Sequence, residues 1–240
     1  MSIPNHTILA ATEADIPILT GFLQDSKLHL AINRFLFRDW PAEAAQCANY
    51  RSAVEFGVKN PQTTSLKVVN DASGKIVAHM YLRRMSDNEN PDTPSESDES
   101  DSEKDEQSQN VDDKQDEDKN QDQSQIPDIF VPEVYEKVVE AMNQIEPEIT
   151  GDHYELTHIY VDPASRRQGI GTQLIQVCHD RAQAEKLPLT ICVEPNHHDF
   201  FVKQGFKDEK YVDIDLRQWA AENSGYGNFR ISRMNFVMSE

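Results

Sequence analysis

Apolar positions recur along this chain with two periods, and the changes of period mark its elements. Residues 6–11 alternate as a strand does. Thr12 then stands as an N-cap with Asp15 three residues on, ahead of Ile16, Leu19, Phe22 and Leu23 at helical spacing. A second helical stretch is expected over about 28–37. Trp40-Pro41 breaks it, and a third runs over about 42–58. Residues 65–69 and 75–83, joined through Asn70-Asp71-Ala72-Ser73-Gly74, read as a hairpin. Periodicity then vanishes until a helix over 132–142. A strand over 153–161, a helix ending near Lys186, and a buried strand over 189–193 follow. A short helix over 199–204, closed by Gly205, precedes two last strands over 211–216 and 228–238.

The break in pattern, 86–126, has its own composition. Residues 86–125 hold sixteen Asp or Glu against three Lys, so most of the net charge of −19 sits there. The tract lacks aromatic residues and almost lacks aliphatic ones. It cannot bury enough apolar surface to offset the entropy of ordering, so it is expected to be a disordered insertion within a single domain, 1–240. Its sign argues against direct nucleic-acid binding, and no basic stripe appears elsewhere. No apolar run reaches the ~20 residues of a membrane span, and the first residues lack a secretory pattern. Cys47, Cys178 and Cys192 have no metal-ligand spacing and read as reduced thiols. A cytoplasmic protein is expected, with a nuclear pool left open. The oligomeric state is left open too.

Candidate chemistry concentrates after the strand over 153–161. The turn Asp162-Pro163-Ala164-Ser165 leads into Arg166-Arg167-Gln168-Gly169-Ile170-Gly171-Thr172, and an amphipathic helix begins there. Backbone N–H groups at a helix start, with two arginines beside them, suit a diphosphate. A Walker loop is absent, and the Rossmann fingerprint fails because Thr172, Gln173 and Leu174 stand where its third glycine is needed.

This segment resembles the coenzyme-A loop of the GCN5-related N-acetyltransferases, the GNAT superfamily, whose signature is Gln/Arg-x-x-Gly-x-Gly/Ala. Arg166, Gly169 and Gly171 fill its three places. The element order also matches that fold outside the acidic tract, with one extra helix before the central strand. Gly205-Phe206 and the closing Gly225-Tyr226-Gly227-Asn228-Phe229-Arg230 resemble a branch common in fungi. The resemblance implies an α/β (α+β) fold with a central mixed, mostly antiparallel sheet flanked by helices. It implies acetyl-CoA as co-substrate, an amine as acceptor, and no metal. It assigns the pantetheine arm to the backbone of Ile159, Tyr160 and Val161. The pyrophosphate goes to Arg166, Arg167, Gln168, Gly169, Ile170, Gly171 and Thr172, with Asn196 and Phe201 as further cofactor contacts.

Attack of an amine on a thioester needs a proton acceptor, because an alkylamine is almost wholly protonated at neutral pH. Simple alternation puts His153, Glu155, Thr157, Ile159 and Val161 on one face of the strand and Leu156, His158 and Tyr160 on the other. The resemblance places a base eleven residues before Arg166, at Glu155. His153 is an assistant, and His158 is the fallback if a bulge shifts the strand. Phe201 departs from the family pattern, which has a tyrosine there to protonate the leaving thiolate. His197 or His198 is a substitute donor on this reading. Two classes of function follow: an acetyl-CoA-dependent N-acetyltransferase acting on a small amine or basic peptide, or a non-catalytic acyl-CoA-binding sensor or scaffold. The acceptor pocket is expected among Phe22, Leu30, Phe35, Phe37, Trp40, Trp219 and Tyr226.

Overall fold

A computed structural model describes residues 3–86, 126–146, 149 and 151–236. The acidic tract falls on 87–125, outside the described residues. Among the described residues, seven strands form one sheet: β1 (His6–Ala10), β2 (Thr63–Asn70), β3 (Ile76–Met85), β4 (His153–Val161), β5 (Leu189–Val193), β6 (Phe206–Asp215) and β7 (Asn228–Phe236). Their order is β1-β2-β3-β4-β5-β7-β6. Only β4 and β5 run parallel; the other neighbours are antiparallel.

Among the described residues, six α-helices accompany the sheet: α1 (Ile16–Leu28), α2 (Asn33–Leu36), α3 (Glu43–Lys59), α4 (Pro132–Gln144), α5 (Ile170–Glu185) and α6 (His198–Lys203). α5 and α6 cover one face. There Met80, Leu82, Leu156, Leu174, Ile175, Ile191 and Phe206 form the main core. Each such side chain contributes about 1.5–3 kcal/mol by leaving water. The other face carries two clusters. Leu19, Leu23, Tyr50 and Val54 of α1 and α3 make the first. Leu30, Val134, Ala141 and Ile231, around α2 and α4, belong to the second.

The entry to α1 forms as its sequence dictates, with Thr12 capping a short 3-10 turn, Glu13–Asp15, that leads into the helix. Asp15 Oδ2 accepts from the Thr12 amide at 2.7 Å and the Thr12 hydroxyl at 2.8 Å, and Lys67 Nζ donates to it at 2.6 Å. Burial alone would raise the Asp15 carboxyl, but these bonds outweigh it and hold it lowered.

Three expectations change. The helix over 28–37 shrinks to α2, because α1 continues to Leu28 and a turn intervenes. β6 starts at Phe206 rather than 211, since its charged stretch pairs with β7 from Phe206↔Phe236 onward. The face assignment along β4 fails for a physical reason. Tyr81 lies opposite His158 and Leu82 opposite Leu156, so Thr157 is an extra residue with no counterpart on β3. This bulge reverses the alternation beyond it. Leu156 packs into the α5 core, and so do Ile159 and Val161. Glu155, His158 and Tyr160 therefore share the opposite face.

Candidate active site

β4 and β5 pair only as far as Leu156↔Ile191. Beyond that point the strands part, and a cleft of about 830 Å³ opens at their C-terminal ends. Its floor is Ile159, Tyr160 and Val161. One wall is the turn from Arg166 through Thr172, another is Asn196, His197 and Phe200, and a third is Phe22, Asp25, Ser26, His29 and Leu30 of α1 and its end. That volume lies within the usual range for a small-molecule or cofactor site.

The turn is built for an anion. Arg167 and Gly169 take positive φ, 63° and 81°, which turns successive amides toward one side. Gly169 caps α5, and the Gln173 amide is the first to close a helical bond, to Gly169 O at 3.0 Å. The amides of Ile170, Gly171 and Thr172 precede it, in the turn whose N–H groups lack intrahelical acceptors. A helix of sixteen residues adds its positive end at the same place. Arg166 folds back so that its Nε donates to Val161 O at 3.0 Å, joining the turn to the strand end. Gly171 has a steric reason of its own: a Cβ there would stand 3.3 Å from Cζ of Phe200.

Charged groups gather near the cleft on the face of the sheet that carries α1. Arg233 Nη1 donates to Glu155 Oε1 at 2.6 Å, and its Nε donates to Ile145 O at 3.1 Å. Lys27 Nζ donates to Glu194 Oε1 at 2.6 Å. Burial alone would raise Glu194, yet the charge and hydrogen bond of Lys27 outweigh it and hold the carboxyl below its ordinary value. His158 is enclosed beside His79 and Tyr81. Burial, with His79 and Lys27 adding to it, pushes its imidazole well below the ordinary histidine value. It stays neutral at physiological pH and is a weak proton acceptor. The Tyr160 ring packs at a tilt against Phe22, 4.8 Å between centroids, and its hydroxyl lies 3.4 Å from Asp25 Oδ2.

The cleft thus brings together Ile159, Tyr160, Val161, Arg166, Arg167, Gly169, Ile170, Gly171, Thr172 and Asn196. Gln168 and Phe201 are not among its lining residues. Phe201 is 3% exposed and packs edge-on against Phe200 and Phe206, so the neighbouring Phe200 is the ring at the wall. Glu155 and His158 are not among the lining residues; they stand on the face of β4 that carries Tyr160. His153 sits at the far end of β4, opposite Met85. His197 lines the cleft, whereas His198 Nε2 bonds Asp208 at 2.8 Å. The expected aromatic pocket divides. Phe35 meets Trp219 and Tyr226, while Phe37 joins Trp40, Tyr50 and Phe130 in a separate cluster. Sequence reading missed Lys27, Asp25 and Glu194. They come from distant parts of the chain, and no local motif links them.

Among the described residues, no group of His, Cys, Asp and Glu side chains has the arrangement to hold a metal ion. No helix there is long and apolar enough to cross a membrane. All three cysteines are free.

Residues 127–208 match the family model of the acetyltransferase (GNAT) domain. The fold agrees with solved structures of low sequence identity. Arylalkylamine N-acetyltransferase 2 from Aedes aegypti superposes with a TM-score of 0.57 at 12% identity, over 98% of this chain and 100% of that one. A histone acetyltransferase HPA2 and related acetyltransferase from Corynebacterium glutamicum gives 0.53 at 15% identity, over 98% of each chain. Arabidopsis thaliana NAA60, solved with a bisubstrate analogue, gives 0.52 at 9% identity, over 98% and 99%. No curated protein matches the chain by sequence. The chain thus carries a match to the acetyltransferase (GNAT) domain over residues 127–208, about a third of its length, within a fold that agrees with it. It is an enzyme of the acyltransferase class, and acetyl-CoA is its acetyl donor.

Proposed function

We propose that the protein moves the acetyl group of acetyl-CoA to the primary amine of a small molecule or basic peptide by direct attack. The observation that carries this reading is the continuity of the cleft. It runs from the amides of Ile170, Gly171 and Thr172 to the parted ends of β4 and β5. A diphosphate on the turn and an extended arm along Ile159, Tyr160 and Val161 would bring a thioester to the place where the strands separate. Arg166 and Arg167 offset the phosphate charge. Gln168, Asn196 and the Phe200–Phe201 pair complete the surroundings of the donor.

In the reaction the amine nitrogen attacks the thioester carbonyl. The C–N bond forms, the C–S bond breaks, and coenzyme A leaves as a thiolate that is then protonated. Glu155 takes the amine proton, directly or through water, and Arg233 fixes its orientation. His158 forms a neutral wall beside it. The whole chain acts as one domain in the cytoplasm, with a nuclear pool allowed, and its net charge of −19 favours amine acceptors over nucleic acid.

The test is incubation of the purified protein with acetyl-CoA and a panel of amines, following free thiol. Acetylated product with a saturable amine dependence supports the reading. A non-catalytic acyl-CoA sensor is the second reading, and one observation favours it: Phe201 carries no hydroxyl and lies in the core. Tight acetyl-CoA binding without transfer across polyamines, amino acids, aminoglycosides, arylamines and histone-like peptides would decide for the sensor.

A further inference from the structure

Two ion pairs flank β5, and they differ in kind. Arg233 lies opposite Cys192 across the β5–β7 ladder, Glu155 lies opposite Thr190 across β4–β5, and Glu194 follows two residues after Cys192, so both pairs meet β5 at neighbouring positions. Cys192 and Glu194 follow Ile191, the last residue of β5 that pairs with β4, so both stand at the opening between the strands. The Arg233–Glu155 pair is fixed. The arginine side chain is 5% exposed and is held a second time by Ile145 O. The Lys27–Glu194 pair is equally short at 2.6 Å but more exposed, with side chains 34% and 24% exposed. A lysine ammonium is a compact charge on a flexible stem, whereas the planar guanidinium is locked by its fork of bonds. Lys27 is therefore the exchangeable member of the four.

The position of that pair is specific. Lys27 follows Asp25 and Ser26, which line the cleft, and Glu194 precedes Asn196 and His197, which line it from the other wall. The pair thus joins α1 to the segment after β5 beside the opening. Its lysine is chemically a primary alkylammonium seated on a carboxylate.

We propose that Glu194 is the seat for the ammonium group of the acceptor, and that Lys27 occupies this seat in the free protein. The inference rests on the acetyltransferase reading above and deepens it by naming the acceptor class: an aliphatic primary amine, cationic at neutral pH. Such an amine displaces Lys27 from Glu194 because both carry the same charge on the same kind of group. Docked there, it lies on the face of the sheet that holds Glu155, to which it passes its proton. Phe22, Leu30 and Tyr160 offer apolar surface nearby for the remainder of the molecule. Neutral molecules of the same shape have no reason to use the seat.

The experiment uses the full chain and two probes of matched shape, 2-phenylethylamine and the uncharged 2-phenylethanol. Calorimetry on the coenzyme-A-saturated protein reads binding, and thiol release with acetyl-CoA reads turnover of the amine. Glu194→Gln is expected to weaken 2-phenylethylamine at least tenfold and to act on KM rather than kcat. Lys27→Met removes the competitor and is expected to tighten the amine several-fold, with a flatter dependence on salt. Binding of 2-phenylethanol should differ less than twofold among the three proteins. The seat is overturned if Lys27→Met weakens the amine as Glu194→Gln does, if the loss in Glu194→Gln falls on kcat alone, or if no variant binds the amine saturably. A wild type that binds the amine on Glu194 but never acetylates any amine supports the seat and removes the transferase reading instead.

Discussion

Glu155 and His158 stand on the same face of β4 although they are three residues apart. Each pairs across to β3, Glu155 with Arg83 and His158 with Tyr81, and those two partners are only two residues apart. The bulge at Thr157 absorbs the difference. It also turns Ile159 and Val161 toward the α5 core, so the strand keeps its carboxylate on one side and its hydrophobic anchor on the other. Glu155→Gln keeps the shape of the side chain and removes its capacity to take a proton. We expect kcat to fall about a hundredfold, with acetyl-CoA affinity within threefold of the wild type. The deficit should narrow as pH rises toward the pKa of the amine, because more acceptor is then already deprotonated. A deficit that stays constant from pH 7 to pH 9.5 would assign the proton to another group.

Gly169 and Gly171 are needed for different reasons, and substitution separates them. Gly169 sits at φ +81° with nothing within 4 Å of a Cβ placed on it. Alanine there meets only backbone strain, about 1–2 kcal/mol, so Gly169→Ala should lower thermal stability first. A Cβ on Gly171 meets Phe200 at 3.3 Å, on the wall of the cleft. Gly171→Val should therefore weaken acetyl-CoA about tenfold while costing little stability. Phe200→Leu in the same chain should recover part of that affinity. Titration calorimetry and thermal melts on the three variants check the division. Equal effects on binding and stability at both glycines would remove it.

Phe201 occupies the place where the family pattern has tyrosine, and its surroundings are apolar. The ring is 3% exposed and packs against Phe200 and Phe206. A hydroxyl added here enters the apolar core beside Phe200 and Phe206, and a buried unpaired hydroxyl costs about 1–3 kcal/mol. Phe201→Tyr should lower the urea midpoint and leave kcat no higher than in the wild type. A rise in kcat would mean that the ring reaches the departing sulfur after all.

Much of the fold can be read from local pattern, because helices and strands announce themselves within a few residues. Thr12 and Asp15 carry in their spacing the cap of the short turn that leads into α1, and the turn at Arg166 to Thr172 carries its glycines at the needed places. The bulge at Thr157 carries no such mark. It exists only as a mismatch between two strands, Tyr81 with His158 and Leu82 with Leu156. A face assignment made from β4 alone therefore fails beyond Leu156. The same reason hides the Lys27–Glu194 pair, whose members are 167 residues apart. Phe201 is legible as a departure from a pattern, but its burial depends on Phe206 and α5, which the pattern does not describe. β6 hides for another reason: Lys207, Asp208, Glu209 and Lys210 look like a loop, yet an edge strand can carry charge on its open side.

His79 and His158 make stability depend on mild acid. His79 is fully buried beside Ser65, with Nε2 3.3 Å from the Ser65 hydroxyl, and its ring meets Tyr81 edge-on at 4.1 Å. Burial pushes it down to about 3, against a smaller opposing effect of the Asp15 charge. His158, 5.6 Å away, is pushed down as well, by burial first and then by His79 and Lys27. Both folded values lie below the unfolded value of about 6.5. Above pH 6.5 neither state binds the extra protons, and this contribution to stability is fully present. Below it the unfolded chain takes up two protons that the folded chain refuses, so unfolding becomes progressively easier until the folded values are reached. Each such proton gives a slope of about 1.4 kcal/mol per pH unit. Urea unfolding at pH 7.5, 6.0 and 5.0 should show a steep loss of stability in this window, before the buried carboxylate of Asp15 begins to protonate. His79→Asn should remove about one proton from the slope, and the double variant with His158→Asn about two. Parallel pH profiles for wild type and double variant would show that the two imidazoles already accept protons in the folded chain.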